Sequence, residues 1–313
     1  DPDIVHFHNI HEHFSYVLLK KIRQLKPKVK IFLTCHDGMA ISYGKLSKID
    51  KKAGMDKPSK ITFIENIKSA EFSWVPFRSS FIKKYLAYAN KIIVVSSALE
   101  KQLKCNEIKN TIVIHNGVSN IASEIQLPLD VKKILDKKDQ WIAFSGRVSR
   151  AKGIYSLIDA FKEIKMNDVG LIIIGKETSE LKEFIELNNL KDKIYSTGWI
   201  DHEVAISLIK LCDVCVVPSL YVDPLPTVAI EALASKCPLI VSCFGGAKEI
   251  IVNNESGFIV NPYNTNEMSK KILELLSNKK MAQKFVKNAF SRFNRLFNTA
   301  QFIKKHLKLY NSK

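Results

Sequence analysis

No stretch of this chain approaches the roughly 18 consecutive apolar residues that a membrane-spanning helix needs. The opening Asp1-Pro2-Asp3 has neither the basic start nor the apolar stretch of a secretory signal. Six cysteines (Cys35, Cys105, Cys212, Cys215, Cys237 and Cys243) in 313 residues do not have the look of a disulfide framework. Cys212 and Cys215 form a CxxC, yet Val214, Val216 and Val217 around them read as a buried strand with packing thiols. A redox or zinc site would need a second ligand pair or an exposed turn, and the sequence shows neither. Internal repeats and low-complexity segments are also missing. The expectation is a soluble, cytosolic, globular protein, for which 46% hydrophobic and 25% charged residues are ordinary. Its length exceeds what one core usually serves, so two domains are expected.

Acidic residues are scarce. The formal charge is +17, and residues 1–118 hold 20 Lys+Arg against 10 Asp+Glu, while the remainder holds 28 against 21. Lysines 45, 48, 51, 52, 57 and 60 face only Asp50 and Asp56 in that stretch. Such a basic half fits an anionic membrane surface, or equally a merely solvated exterior. Nucleic acid is set aside, because no basic–aromatic interleaving or nucleic-acid motif accompanies the charge.

Strand-like and helix-like segments alternate along the whole chain. Ile4–His8, Val29–Cys35, Lys91–Ser97 and Thr111–His115 read as strands in the first part. Trp141–Ser145, Leu171–Ile174, Lys193–Ser196, Asp213–Pro218, Pro238–Ser242 and Gly257–Val260 follow in the second. Several are continuous apolar runs, as parallel strands covered on both faces require. A helix is expected from Phe14 to Leu25, and Ile154, Leu157, Ile158, Phe161 and Ile164 form one apolar helical stripe. The pattern predicts an α/β fold of right-handed βαβ units in doubly wound parallel sheets, with ligands beyond the carboxyl ends of the strands. The turn at His115-Asn116-Gly117-Val118 marks a boundary, followed by a polar linker from Asn120 to Gln140.

Three constellations sit at such strand ends. In Ser145-Gly146-Arg147…Lys152-Gly153, a glycine turn lets backbone approach a ligand, and two cations five positions apart can converge on one anion. A departing pyrophosphate needs that, since charge builds on its oxygens as the bond to the sugar breaks. The second is the run Pro218 to Ala232, with carboxylates Asp223 and Glu231 eight positions apart and Pro226 suited to a helix start. Carboxylates there accept bonds from sugar hydroxyls, and the free amides of the helix start receive an anion. The third, Phe244-Gly245-Gly246-Ala247-Lys248-Glu249, is weak on its own.

Taken in this order and spacing, the three resemble the C-terminal domain of family 4 glycosyltransferases, with its G-R-x-x-x-x-K-G turn, E-x7-E element and G-G-x-x-E. "DIVHFHN", "FLTCHDG", "VVSSALEKQL" and "VIHNGV" extend the resemblance from Asp3 to about Tyr310. It implies the GT-B fold, two Rossmann-like domains facing across a cleft: residues 1–118, residues 119–296, and a helix over 297–313 crossing back to the first domain. Phe302, Ile303, Leu307, Leu309 and Tyr310 would pack there. By resemblance, Arg147 and Lys152 bind the donor pyrophosphate, Asp223 contacts the transferred sugar and Glu231 holds the ribose. Gly146, Leu225, Pro226 and Thr227 complete the donor site, and Gly198 and Trp199 lie in the base-contacting segment. His36 matches the site histidine near the donor sugar, whereas His8 is a weaker candidate within the cluster at positions 6, 8, 11 and 13. The implied reaction is metal-independent and cofactor-free transfer, with retention of configuration, from a UDP- or GDP-linked sugar. The acceptor is a saccharide or lipid-linked saccharide of surface polysaccharide synthesis, met at the inner face of the plasma membrane.

Asp223 stands where the family's first glutamate is usual, and Pro226 where many members have glycine, which removes one backbone donor. Members also begin with a strand, a glycine-rich turn and a helix before the "DIVH" strand, so the resemblance implies a fragment of a longer protein. Two rivals share the architecture: a nucleotide-sugar epimerase and a non-catalytic nucleotide-sugar-binding module.

Overall fold

The structure, a computed structural model, describes residues 2–12, 14–43, 48–70, 75–120 and 126–312. His13 and Lys45, named above, lie outside the described residues. The first part runs β1 (Ile4–His8), α1 (Val17–Leu25), β2 (Lys30–Cys35), β3 (Lys48–Asp50), β4 (Met55–Lys57), α2 (Phe63–Ala70), α3 (Arg78–Leu86), β5 (Lys91–Val94), α4 (Ser97–Cys105) and β6 (Thr111–Val113). The second begins with α5 (Leu129–Leu135), β7 (Gln140–Ser145), α6 (Ile154–Lys162), β8 (Val169–Ile174), α7 (Ser179–Leu187), β9 (Ile194–Ser196) and α8 (His202–Lys210). It continues with β10 (Val214–Val217), α9 (Thr227–Ala234), β11 (Leu239–Ser242), α10 (Ala247–Ile250), β12 (Phe258–Val260), α11 (Thr265–Ser277), α12 (Lys279–Leu296) and α13 (Thr299–Tyr310).

Among the described residues, β1-β2-β5-β6 form one parallel sheet and β12-β11-β10-β7-β8-β9 a second. In the six-stranded sheet the order reverses between β7 and β10, the doubly wound arrangement in which a crevice opens beyond the carboxyl ends of those two strands. Periodicity explains the layers. Every residue of β8 is buried, because helices cover both faces of the sheet. The predicted stripe of α6 is buried at Ile154, Leu157, Ile158 and Phe161. On α12, Phe285, Ala289 and Phe293 recur every fourth residue on the inward side. One apolar cluster extends from α1, β2 and β5 to α9 and β11, so the two lobes share a core.

Four features depart from the sequence expectation. The first helix starts at Val17, after a 3₁₀ turn at Ile10–Glu12. The antiparallel hairpin β3–β4 lies in the lysine-rich stretch, where short polar strands give no apolar signal. The polar linker contains α5, anchored by buried Val131 and by Trp141 Nε1 donating to the Leu135 carbonyl at 3.0 Å; residues 121–125 lie outside the described residues. Finally, α13 does return to the first sheet, packing Leu309, Phe302 and Tyr310 on Phe32, Ile93 and Ile114. Ile303 and Leu307, expected to pack there too, are 48% and 53% exposed, because they fall on the opposite side of the helix.

Candidate active site

The β7 strand ends at Ser145, and Gly146 turns the chain with φ +131°, a backbone that side-chain-bearing residues avoid. A Cβ there would meet nothing within 4 Å, so the turn is open to a ligand. Arg147 follows, exposed, and among the described residues it makes no ion pair. Ser149 Oγ then accepts from Lys152 N, closing a 3₁₀ turn over Arg150–Lys152; α6 starts only after Gly153, so Lys152 precedes the helix instead of opening it. A cavity of about 890 Å³ lies beyond these strand ends. Gly146, Arg147, Gly198 and Trp199 line it, together with Lys176, Glu177 and His202, which sequence reasoning missed. Trp199 is 87% exposed at its mouth.

Below the turn, Lys152 Nζ donates to Asp223 Oδ2 at 2.7 Å, and Tyr221 Oη donates to the same oxygen at 2.9 Å. Asp223 is buried, and its short side chain is committed to this pair. Burial alone would lower the Lys152 pKa, but the charge and hydrogen bond of Asp223 outweigh it, and the ammonium sits above its ordinary value. Tyr221 is a further residue that the motif reading passed over. Leu225 is buried, Pro226 occupies the N-cap of α9, and no side chain caps that helix start at Thr227. One turn on, buried Glu231 accepts from His202 Nε2 at 3.0 Å. His202 thus joins Glu231 to the cavity wall.

In the other lobe, His36 follows the carboxyl end of β2. Its Nε2 lies 2.9 Å from His8 Nδ1, and its backbone N–H donates to Asn9 Oδ1 at 3.0 Å. Burial, and then the neighbouring His8, lowers the His36 pKa against the opposing pull of Asp37, and the lowering favours the uncharged ring. His8, the weaker candidate, is therefore coupled directly to the stronger one. Behind them His6 is held between Tyr310 Oη and Thr34 Oγ1 at 2.6 and 2.7 Å. Among the described residues no group of three His, Cys, Asp or Glu has a metal-holding arrangement.

The lobes meet beside the site. Glu249, from the weakest of the three motifs, accepts from the Ser97 and Ala98 amides at 3.0 and 2.8 Å, filling the N-terminus of α4. His115 Nε2 approaches the same carboxylate at 3.4 Å. Gly245 and Gly246 press on the backbone of Asp223 and Pro224, and Gly246 also on Ser96, so the lobe junction touches the Asp223 loop directly. The β3–β4 hairpin adds Asp56 paired with Lys248, and Asn261 Nδ2 donating to the Lys51 carbonyl at 2.7 Å. The CxxC thiols, by contrast, are free, buried and pushed far up in pKa by burial, in keeping with packing.

This arrangement has relatives. The family model described as "Glycosyl transferases group 1" matches residues 128–292, and "Glycosyltransferase Family 4" matches residues 1–120. The chain belongs to this glycosyltransferase family. An uncharacterised glycosyltransferase of Methanocaldococcus jannaschii is 30% identical over 74% of this chain, which spans 62% of that relative's length. The capsular polysaccharide biosynthesis glycosyltransferase CapM of Staphylococcus aureus is 28% identical over 72% of this chain and is likewise spanned to 62%. Among solved structures, HepE of Anabaena in complex with UDP superposes with a TM-score of 0.70 at 18% identity, covering 95% of this chain and 82% of HepE. At that identity the likeness speaks for the fold, which is GT-B: two Rossmann-like lobes facing across a cleft. No helix of the chain is long and apolar enough, among the described residues, to cross a membrane.

Proposed function

We propose that this chain transfers a sugar from a nucleotide-diphosphate donor to a saccharide or lipid-linked acceptor, with retention of configuration. The observation that carries the reading is the open cavity beyond the carboxyl ends of β7, β8 and β9, whose β7 wall, Gly146 and Arg147, borders the switch point. Arg147, with no carboxylate partner among the described residues, lines that cavity, and the uncapped start of α9 belongs to the loop above the neighbouring strand. Positive charge and free amides there stabilise the departing diphosphate. Lys152 joins them by leaving Asp223 for the phosphate, and Asp223 then turns to the sugar. Glu231 takes the ribose hydroxyls, and the base lies along Gly198, Trp199 and the wall from Lys176 to His202. We assign no carboxylate as a covalent nucleophile; the acceptor hydroxyl attacks on the face from which the diphosphate leaves and passes its proton to that diphosphate. HepE has been solved with UDP and with UDP-glucose, which supports a uridine donor, with guanosine as the alternative. CapM's name supports an acceptor in surface polysaccharide synthesis, and the basic first half supports a site at the inner face of the membrane.

Calorimetry with UDP and GDP, followed by turnover of UDP- and GDP-sugars with and without saccharide acceptors, tests this. Nucleotide affinity left at the wild-type value by loss of Lys152 and Glu231, or sugar conversion that needs no acceptor, would remove the transferase reading.

A further inference from the structure

Two helices of the four-stranded lobe turn apolar side chains outward. On α2, Phe63, Ile64 and Ile67 are exposed, with Lys68 beside them. At the start of α3, Phe77, Phe81 and Lys84 stand four and then three positions apart and share one face. Phe77 is 80% exposed, and its backbone lies in the left-handed region at φ +56°, a strained conformation for an aromatic residue. The two stripes adjoin. Asn66 Nδ2 donates to Ser79 Oγ at 3.3 Å, and Phe63, Val75 and Phe77 line a common groove of about 140 Å³. The opposite sides of both helices are anchored through buried Ala70, Ile82 and Leu86.

Among the described residues the surrounding charge is one-sided. Asp50, Asp56, Glu65 and Glu107 are each paired with lysine, whereas Lys68 and Lys84 make no ion pair among the described residues. Five large apolar side chains bordered by free ammonium groups match the boundary between acyl chains and anionic headgroups. A second copy of the chain would instead bring two lysine margins together.

We infer that the outward faces of α2 and α3 dock on an anionic phospholipid bilayer. Phe77 and Phe81 enter the acyl boundary, and Lys68 and Lys84 meet headgroup phosphates. This names the surface behind the membrane location proposed above and rests on that reading, but not on nucleotide binding.

The test is sedimentation of the full chain with phosphatidylglycerol-rich vesicles and with pure phosphatidylcholine vesicles. The wild type is expected to sediment with the former only. The double variant F77D/F81D should lower the affinity by about tenfold or more, and K68E/K84E should lower it less and remove its salt dependence. All four side chains point outward, so melting temperature and UDP or GDP binding should match the wild type. Three results would overturn the inference: a wild type that ignores phosphatidylglycerol, F77D/F81D sedimenting like the wild type, or a wild-type dimer that F77D/F81D splits in analytical ultracentrifugation. A wild type that binds vesicles but no nucleotide would instead overturn the transferase reading and leave this one standing.

Discussion

The two lobes dispose their side chains in opposite ways around the same parallel-sheet architecture. In the six-stranded lobe, charged groups at the strand ends are drawn in and paired: Asp223 with Lys152 and Tyr221, Glu231 with His202. In the four-stranded lobe, the strand ends present imidazoles that burial biases toward the uncharged form, and the helices turn phenylalanines toward the outside. A lobe that grips a small polar ligand needs charges held in advance, since fixed groups stabilise developing charge without reorganising. A lobe that meets large partners needs surface. Glu249, rooted in one lobe and bonded to the other, makes them a single unit.

The comparison can be broken, most forcefully at Lys152. Lys152→Ala should lower turnover by about 10²–10³-fold, as loss of one stabilising donor does elsewhere, with the fold intact in circular dichroism; wild-type rates would remove Lys152 from the mechanism. Next, Glu249→Ala leaves two amides of α4 without their acceptor and should cost about 2–3 kcal/mol in urea unfolding. A change below half a kcal/mol would mean the lobes hold together without it.

The imidazoles of the four-stranded lobe give a pH test. Burial, with His8, His306 and His36 nearby, pulls the His6 pKa down to about 3. The folded value lies below the unfolded one, so this contribution is intact above pH 6.5 and drains away as pH falls toward 3. Between pH 7 and 5 the loss should be about 1–2 kcal/mol, allowing for partial exposure, and smaller in His6→Gln; equal losses in both would acquit His6. Glu249 acts lower on the scale. Although burial opposes it, the bonds from His115, Ser97 and Ala98 depress its pKa, so its contribution fades only as pH drops below the ordinary glutamate value. The smallest expected effect is Glu231→Gln, which should weaken UDP or GDP about fivefold in calorimetry through loss of a charged acceptor; an unchanged affinity would count against the ribose role.

Part of the candidate site was legible as local pattern. Gly146, Arg147 and Lys152 stand after an apolar run, and Asp223 and Glu231 flank a helix start; strand-end glycines and cations are local signals. His202 and Lys176 were not legible, because nothing in their own neighbourhoods marks them; Tyr221 lies inside the Pro218–Ala232 run, but only its bond to Asp223 gives it a role. His202 and Lys176 reach the site because α8 starts and β8 ends at the same edge of the sheet. Glu249 shows the same limit: a weak motif locally, it acquires its partners 152 and 151 residues away.

Sequence alone determined the alternation of strand and helix, the parallel sheets and the family, since hydrophobic period and turn chemistry are properties of short segments. Tertiary structure alone decided that Lys152 is held by Asp223, that Ile303 and Leu307 face outward, and that α2 and α3 form one apolar surface. Those outcomes depend on which distant groups arrive at the same place, and a pattern written over a few residues does not encode that.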